Sequence, residues 1–180
     1  MRKSRKPVDG TDDGERARWE NAKMKQFRTA TRADLPLILD MAAEFNAYFE
    51  PLDPNTPALD RARMTASLQR LCFGETPHCT VLIGEDGGAA MGYAIYNYSF
   101  WTDSLDAVLF LSALFIRTSG RGAGWGKAFM DQLTQIAQTN GCGRVMWNVW
   151  DQNAAAIAFY EALGAGQIRD EPLMYLDVQT

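Results

Sequence analysis

A strand, a glycine-rich loop and an amphipathic helix follow one another without a gap between residues 107 and 137. The apolar run Ala107–Ile116 is typical of a strand that is buried on both faces. The loop after it contains four glycines, Gly120, Gly122, Gly124 and Gly126. The next segment has apolar residues at helical spacing, namely Phe129, Leu133, Ile136 and Ala137. Because backbone N–H groups at the start of a helix have no partner within it, this arrangement predicts a phosphate-binding turn.

The spacing of the glycines limits which phosphate ligand the loop fits. Residues 122–126 read GAGWG, and no Gly-Lys-Ser or Gly-Lys-Thr closes the loop as in a Walker A motif. The loop also lacks the Gly-x-Gly-x-x-Gly spacing of a dinucleotide-binding fold. On the glycines alone, a tight turn without a ligand stays open as the alternative.

Composition excludes several classes of function. The chain has 180 residues and a net charge of −4, which fits one domain with a sizeable core and argues against a nucleic-acid binder with a basic face. No run approaches the ~20 apolar residues of a membrane helix. No metal-ligand spacing links the cysteines, which are Cys72, Cys79 and Cys142. We therefore expect free thiols, a cytoplasmic protein, no metal, and neither nucleic acid nor membrane as a partner.

The N-terminal part of the chain divides into a tail and the start of a domain. Residues 1–25 are charged and lack a core-forming pattern, so they predict a mobile extension ahead of a single domain over residues 26–180. Gln26–Ala30 predicts a first strand. Thr31 and Asp34 have the spacing of a capping box and predict the start of a first helix.

The remaining segments complete the order β-α-α-β-β-β-α-β-α-β. A helix predicted over Ala58–Phe73 precedes a hairpin of Thr80–Glu85 and Ala89–Phe100. The buried strand, the glycine loop and its helix come next. The pattern then predicts a strand at Arg144–Trp150, a short helix that Asp151–Asn153 cap and that runs through Leu163, and a final strand at Leu173–Val178.

Two motifs carry a family resemblance. Residues 121–126, Arg-Gly-Ala-Gly-Trp-Gly, follow the strand end Leu114–Ile116 and match the pattern Arg/Gln-x-x-Gly-x-Gly/Ala. Residues 153–164 match the pattern Asn-x-x-Ala-x-x-Phe-Tyr-x-x-x-Gly. With both motifs in this order, the chain resembles the GCN5-related N-acetyltransferases (GNAT) over residues 26–180. The resemblance implies an α/β (α+β) fold with a central mixed, mostly antiparallel twisted sheet, splayed between the fourth and fifth strands and flanked by helices.

The resemblance also implies acetyl-CoA as the cosubstrate and a set of residues that bind it. In the family the loop amides hold the CoA pyrophosphate, and the backbone of Leu114 and Ile116 pairs with the pantetheine arm. Arg121 and Lys127 are placed to meet phosphate charge, with a solubilising surface as the alternative role. The cofactor-binding candidates are Leu114, Phe115, Ile116, Arg121, Gly122, Ala123, Gly124, Trp125, Gly126, Lys127, Asn153 and Tyr160.

Tyr160 matches the general acid of the family, which protonates the CoA sulfur. A tyrosine has an ordinary pKa of about 10 and therefore carries its proton at neutral pH. Asn153 matches the family residue that contacts the cofactor near the pantetheine. A core position for Tyr160 and a helix N-cap for Asn153 are the structural alternatives.

The general base is where the chain departs from the family pattern. The sequence resembles the polyamine (spermidine/spermine-type) branch, which usually has Glu-Asp where this chain has Ser112-Ala113. The resemblance leaves Ser112 as a catalytic candidate that relays a proton through water but does not hold it. Other carboxylates and the single histidine are the remaining candidates: Glu44, Glu50, Asp53, Asp103, Asp106 and His78.

These residues favour an enzyme that transfers the acetyl group of acetyl-CoA to a primary amine of a small molecule. Since no cysteine lies in either motif, we expect direct attack of the amine in a ternary complex. Two alternatives stay open: a non-catalytic acyl-CoA-binding or sensing module, and an acetyltransferase that acts on a protein amine or an aminoglycoside-type antibiotic. Many members of the family dimerise, so the resemblance also leaves a homodimer open.

Overall fold

A computed structural model of the protein describes residues 25–53, 55–168 and 173–177. The predicted N-terminal extension lies outside these residues except for Lys25, which begins the first strand. The chain forms two compact units, one ending at Asn148 and the other beginning at Val149. The single domain over residues 26–180 stays a prediction.

The first unit is built on a sheet whose described strands are β1 (Lys25–Thr29), β2 (Thr80–Asp86), β3 (Ala89–Trp101), β4 (Asp106–Ile116) and β5 (Cys142–Trp147). The strands lie side by side in chain order. Neighbours are antiparallel except β4 and β5, which are parallel and are joined through a helix, as parallel strands require. The predicted mixed, mostly antiparallel sheet is confirmed.

Helices cover both faces of this sheet. In the described residues the helices are α1 (Leu35–Phe49), α2 (Arg61–Leu71), α3 (Trp125–Thr139) and, in the second unit, α4 (Ala154–Ala162). Val81 and Ile83 of β2 share one core with α1 and α2. On the other face, the ring of Phe27 contacts the rings of Trp125 and Phe129 of α3. Because both faces are covered, the centre of β2 is a continuous buried run rather than an alternating one.

The start of α1 is held by the capping box that the sequence predicts. The backbone N and Oγ1 of Thr31 both donate to the Asp34 carboxylate, at 2.7 and 3.0 Å. Arg28 on β1 donates to both oxygens of Asp34, at 2.9 and 2.7 Å, and to Glu85 on β2 at 2.9 Å. The hydrogen bond from Arg28 holds the pKa of Asp34 well below its usual range. These contacts tie the beginning of α1 to β1 and β2.

Replacing Asp34 with Ala is expected to lower the free energy of unfolding by about 2 kcal/mol, because it removes the cap and the partner of Arg28. Urea denaturation at pH 7 measures the loss. Since folding lowers the pKa of Asp34, its stabilisation is present above the unfolded value of about 4 and is lost as the pH falls through the lower folded value. The difference between wild type and variant should therefore shrink in acid.

Asp40→Ala is the matched control for this variant. Asp40 forms an exposed ion pair with Arg61 at 2.9 Å, and pairs of that kind contribute about 0–1 kcal/mol. If Asp34→Ala were no more destabilising than Asp40→Ala, the capping box would not hold α1 in place.

The first strand and the hairpin fall within one residue of the predicted bounds. The predicted capping box of Thr31 precedes a 3-10 turn, Arg32–Asp34, which leads directly into α1 at Leu35. By contrast, α2 is shorter than the predicted Ala58–Phe73. The Asp60 carboxylate accepts from the backbone N of Arg63 at 2.9 Å, so Asp60 caps the helix and fixes its start.

Two predicted strands differ from the structure. β5 begins and ends earlier than the predicted Arg144–Trp150. The predicted final strand Leu173–Val178 is wrong for residues 173–177, which form no strand, and Val178 lies outside the described residues. The side chains of residues 173–176 are 77–93% exposed. Their composition suits a strand, but a strand forms only through pairing, and the described residues supply no partner for this segment.

Candidate active site

A β-bulge at Ser112 interrupts the pairing of β3 with β4. Ile95 pairs with Ala113 and Tyr96 pairs with Leu111, so Ser112 faces no partner residue on β3. Ser112 is exposed although Leu111 beside it is buried, so the prediction of a strand buried along both faces fails at this point. A bulge increases the local twist and re-aims a side chain, and bulges are frequent next to active sites. The structure thus sets Ser112 apart from the regular ladder.

The pairing of β4 with β5 ends beside this bulge. The ladder runs from Ala107 opposite Cys142 to Leu111 opposite Trp147, and β4 then continues to Ile116. On that edge, residues 112–116 have no partner strand in the described part of the chain. The splay predicted between the fourth and fifth strands arises here, and it leaves one backbone edge of β4 open to an extended ligand.

The glycine loop lies between the end of β4 and the start of α3. Residues 118–120 form one 3-10 turn, and Gly122 and Gly124 both have a φ of +75°. The left-handed conformation costs a residue with a side chain roughly 1–2 kcal/mol, so the shape of the loop requires glycine at both positions. Gly124 is also the N-cap residue of α3.

The backbone N–H groups of this loop are open to a ligand. In the described residues, the N–H groups of Gly122 and Gly124 have no hydrogen-bond acceptor. The first hydrogen bond of α3 runs from Ala128 N to Gly124 O at 3.1 Å, so the N–H groups of residues 125–127 begin the helix without an intrahelical acceptor. Several donors at the positive end of a helix dipole are suited to bind an anion.

Two arginines join the loop to the end of α1. The Arg121 guanidinium lies over the Tyr48 ring, 4.5 Å from its centroid, and its Nε donates to Ile116 O at 3.3 Å. The Nε of Arg117 lies 3.1 Å from a carboxylate oxygen of Glu44, in an ion pair whose angle does not make a hydrogen bond. Among the described residues, the two terminal nitrogens of Arg121 have no hydrogen-bond partner, so they are available to a phosphate.

Trp125 and Lys127, two other candidates for cofactor binding, have side chains that are already engaged in contacts within the protein. The side chain of Trp125 is 2% exposed and packs against Phe27 and Phe129, so only its backbone N–H is available to a ligand. Lys127 is exposed, and its Nζ donates to both carboxylate oxygens of Asp131, at 2.8 and 2.7 Å. The geometry therefore favours Arg121 over Lys127 as the side chain that meets phosphate charge.

Asn153 and Tyr160 belong to the second unit, on α4. Asn153 is buried and is the N-cap of this helix, since its side-chain oxygen accepts from Ala156 N at 3.1 Å. The helix therefore starts at Ala154, directly after the predicted cap residues Asp151–Asn153. Tyr160 follows Asn153 by seven positions, which is close to two helical turns. The two residues thus lie on the same face of α4, about 10 Å apart along its axis.

The end of α4 holds the backbone of Tyr160. Gly164 has a φ of +86°, its N–H donates to Glu161 O at 2.9 Å, and the N–H of Ala165 donates to Tyr160 O at 3.1 Å. This pair of bonds is a Schellman motif, which gives the glycine of the second sequence motif a structural reason. Burial raises the pKa of the Tyr160 phenol above its ordinary value, so the phenol keeps its proton at neutral pH.

The carboxylates predicted as alternative bases are scattered. Glu44 pairs with Arg117 beside the loop. Asp106 begins β4 six residues before Ser112, which is roughly 20 Å along a strand and too far for direct proton transfer. In the described residues no hydrogen bond joins Ser112 to a carboxylate. The other candidates lie outside helices and strands: Glu50, Asp53, His78 and Asp103.

The described residues hold neither a metal-binding cluster nor a helix that could span a membrane. No group of three or more His, Cys, Asp or Glu side chains is arranged there to hold a metal ion. None of the helices described combines the length and apolar character needed to cross a bilayer.

Comparison with known proteins decides the family. Residues 39–165 match the model of the Acetyltransferase (GNAT) family. The chain belongs to the GNAT acetyltransferase family. A thialysine N-epsilon-acetyltransferase of Sus scrofa is 30% identical over 154 residues, which are 80% of this chain and 85% of that protein. The spermidine/spermine N(1)-acetyltransferase-like protein 1 of Homo sapiens is 30% identical over 155 residues, which are 81% of this chain and 21% of that protein.

A solved structure supports the fold of this GNAT acetyltransferase. It is an integron cassette protein from the mobile metagenome of V. cholerae, with a TM-score of 0.72 and 22% identity, covering 86% of this chain and 93% of that one. The family match and the named relatives identify the protein as an acetyl-CoA-dependent N-acetyltransferase.

The predicted site residues of this acetyltransferase divide between its two units. The first unit places the open edge of β4, the bulge at Ser112 and the glycine loop along one strand and its continuation. The second places Asn153 and Tyr160 on one helix. Sequence analysis missed Lys25, whose Nζ donates to Ala123 O at 2.7 Å. The sequence carries no signal of that contact, because the two residues are 98 positions apart.

Proposed function

We propose that this acetyltransferase moves the acetyl group of acetyl-CoA to a terminal primary amine of a small aliphatic molecule. The observation that carries the proposal is the glycine loop, in which two left-handed glycines and the first turn of α3 present free N–H groups to an anion. The acceptor class is supported by the names of the relatives, which act on thialysine at Nε or resemble an enzyme of spermidine and spermine at N(1). Each of these nitrogens is a primary amine at the end of an aliphatic chain.

Acetyl-CoA, the acyl donor, would lie along β4 and the glycine loop. The open edge of β4 offers the backbone of Leu114 and Ile116 to the amides of the pantetheine arm. The free N–H groups of Gly122 and of residues 124–126 would hold the pyrophosphate, since the N–H of Ala123 already donates to Gly120 O at 3.3 Å. Arg121 would add its terminal nitrogens from its position over Tyr48. Asn153, which matches the family residue that contacts the cofactor near the pantetheine, is the proposed cofactor contact of the second sequence motif.

The reaction would proceed by direct attack. The neutral amine forms a bond to the thioester carbonyl carbon, the C–S bond breaks, and the departing sulfur takes the proton of Tyr160. The amine gives its surplus proton to water, with Ser112 as a relay at the bulge. The phenol is suited to the acid role because burial keeps it protonated at neutral pH.

Because Ser112 stands where the polyamine branch of the family usually has a carboxylate, we expect the pH dependence of kcat/KM to follow the protonation of the acceptor amine. An aliphatic amine has an ordinary pKa of about 10.4, so its neutral fraction rises tenfold with each pH unit well below that value. We therefore expect log kcat/KM for the amine to rise by about one per pH unit between pH 7 and 9. Tyr160 should not limit this rise, because burial moves the pKa of the phenol upward.

A set of pH–rate profiles for wild type and Ser112→Ala measures this dependence. A relay through water predicts that Ser112→Ala lowers kcat by a few-fold, on the order of 3–10, without changing the slope. A plateau that begins near pH 6–7 would contradict the proposal, because it would reveal an internal base that titrates in that range.

The same Ser112-Ala113 pair favours a second candidate, a non-catalytic acyl-CoA-binding module. Calorimetric titration of acetyl-CoA, followed by an assay of acetyl-CoA consumption with thialysine, polyamines, amino acids and aminoglycosides, separates the two. Binding with turnover on one group of amines supports the enzyme and names its acceptor. Binding without turnover on any amine favours the sensing module or a protein acceptor.

A homodimer is also part of the proposal. Tyr98 and Phe100, near the end of β3, are 46% and 62% exposed, and exposed aromatic side chains are common at protein contacts. Light scattering on the purified protein should give twice the chain mass of 20.1 kDa. A value of one chain mass would contradict the dimer. The cytoplasmic location stays a prediction.

A further inference from the structure

Lys25 reaches the glycine loop from the first residue of β1. Its Nζ donates to the carbonyl oxygen of Ala123 at 2.7 Å and lies 5.3 Å from the centroid of the Trp125 ring. A side chain at Gly124 would crowd this contact, because a Cβ there would lie 3.2 Å from Nζ. The lysine is thus bound to the loop at the peptide that precedes the N-cap of α3.

The hydrogen bond from Lys25 fixes the orientation of the Ala123–Gly124 peptide. In a trans peptide, the C=O and the N–H that share one plane point in opposite directions. By holding the Ala123 carbonyl on one side, Lys25 aims the N–H of Gly124 to the other side. That N–H has no acceptor in the described residues, so it is one of the groups that the loop offers to an anion.

The positive charge of Lys25 also favours the binding of an anion by the N–H of Gly124. An ammonium group on the carbonyl polarises the peptide and strengthens its N–H as a donor. Lys127, the other lysine near the loop, is bound to the Asp131 carboxylate, which offsets its charge. By contrast, Lys25 forms no ion pair with a carboxylate within the described part of the chain.

We propose that Lys25 is a positioning residue of the diphosphate-binding loop, acting through the Ala123–Gly124 peptide. The inference rests on the proposed use of this loop for the pyrophosphate of acetyl-CoA. Its effect should therefore depend on whether the acyl donor carries a diphosphate. A lysine that merely stabilised the fold would affect every acyl donor alike.

The test compares two donors in Lys25→Met, which keeps the length of the side chain and removes the charged donor. With acetyl-CoA, kcat/KM should fall about 10-fold, the loss usual for a hydrogen bond to a charged group, and the Kd from calorimetry should rise by the same factor. With S-acetylpantetheine, which has no diphosphate, kcat/KM should change by less than about twofold. Lys25→Arg, which keeps a charged donor, should recover part of the loss.

Arg32→Met is the matched control. Arg32 also donates from a cationic side chain to a backbone carbonyl, Phe73 O at 2.9 Å, but this contact is not part of the loop. The Arg32→Met variant should leave kcat/KM unchanged with both acetyl-CoA and S-acetylpantetheine. Equal losses with both donors in Lys25→Met, or none with acetyl-CoA, would overturn the inference while the proposed function stands. Failure of the wild-type protein to bind acetyl-CoA would overturn both.

Discussion

Replacing Tyr160 with Phe is expected to lower kcat for amine acetylation by about 10²- to 10³-fold, while the Kd for acetyl-CoA changes by less than about twofold. The substitution removes only the hydroxyl, so the departing sulfur leaves as a thiolate without a proton donor. The backbone of Tyr160 is held by Ala165 N at 3.1 Å, which does not depend on the hydroxyl. Steady-state kinetics together with calorimetric titration of acetyl-CoA measure both quantities.

Tyr175→Phe is the control for this variant. It removes a hydroxyl from a tyrosine in the same unit that is 84% exposed, so turnover should match wild type. If Tyr160→Phe retained kcat within about threefold of wild type, Tyr160 would not be the general acid. If its Kd rose in parallel with the loss of kcat, the hydroxyl would serve binding rather than proton transfer.

Replacing Gly124 with Ala is expected to weaken acetyl-CoA binding by about 60- to 300-fold. The alanine would have to keep a φ of +75°, at a cost of roughly 1–2 kcal/mol. Its Cβ would also lie 3.2 Å from Lys25 Nζ and disturb a charged hydrogen bond worth about 1.5 kcal/mol. At 1.4 kcal/mol for each factor of ten in Kd, these two effects together give the stated range.

Gly166→Ala is the control for the Gly124 substitution. A Cβ at Gly166 would meet no atom within 4 Å, so this variant should bind acetyl-CoA like wild type. Circular dichroism and thermal unfolding of both variants separate a local change in the loop from loss of the fold. Wild-type affinity in folded Gly124→Ala would contradict a phosphate-binding role for the loop.

Much of the fold could be predicted because its signals are local. The capping box of Thr31 and Asp34 marks the start of the first helix, and the turn between β2 and β3 marks the hairpin. The glycine loop was recognisable for the same reason. Left-handed backbone at Gly122 and Gly124 has to be encoded by glycine, so the requirement is visible in the residues themselves.

The predictions failed where structure depends on a distant partner. Leu173–Val178 has the composition of a strand, but pairing decides whether a strand forms. Ser112 lies in an apolar run that predicts an ordinary buried strand. Its exposure comes from the register of β3 against β4, which gives β4 one residue more than β3 at this point.

The sequence by itself therefore determined the family, the glycine loop that is proposed to bind the cosubstrate and the tyrosine that is proposed as the acid. Each of these depends on residues that are neighbours in the chain or share one helix. Only the tertiary structure showed the bulge at Ser112, the ion pair of Arg117 with Glu44 and the contact of Lys25 with Ala123. Those features join segments that are far apart in the chain, and strand pairing and packing in the folded chain set their geometry.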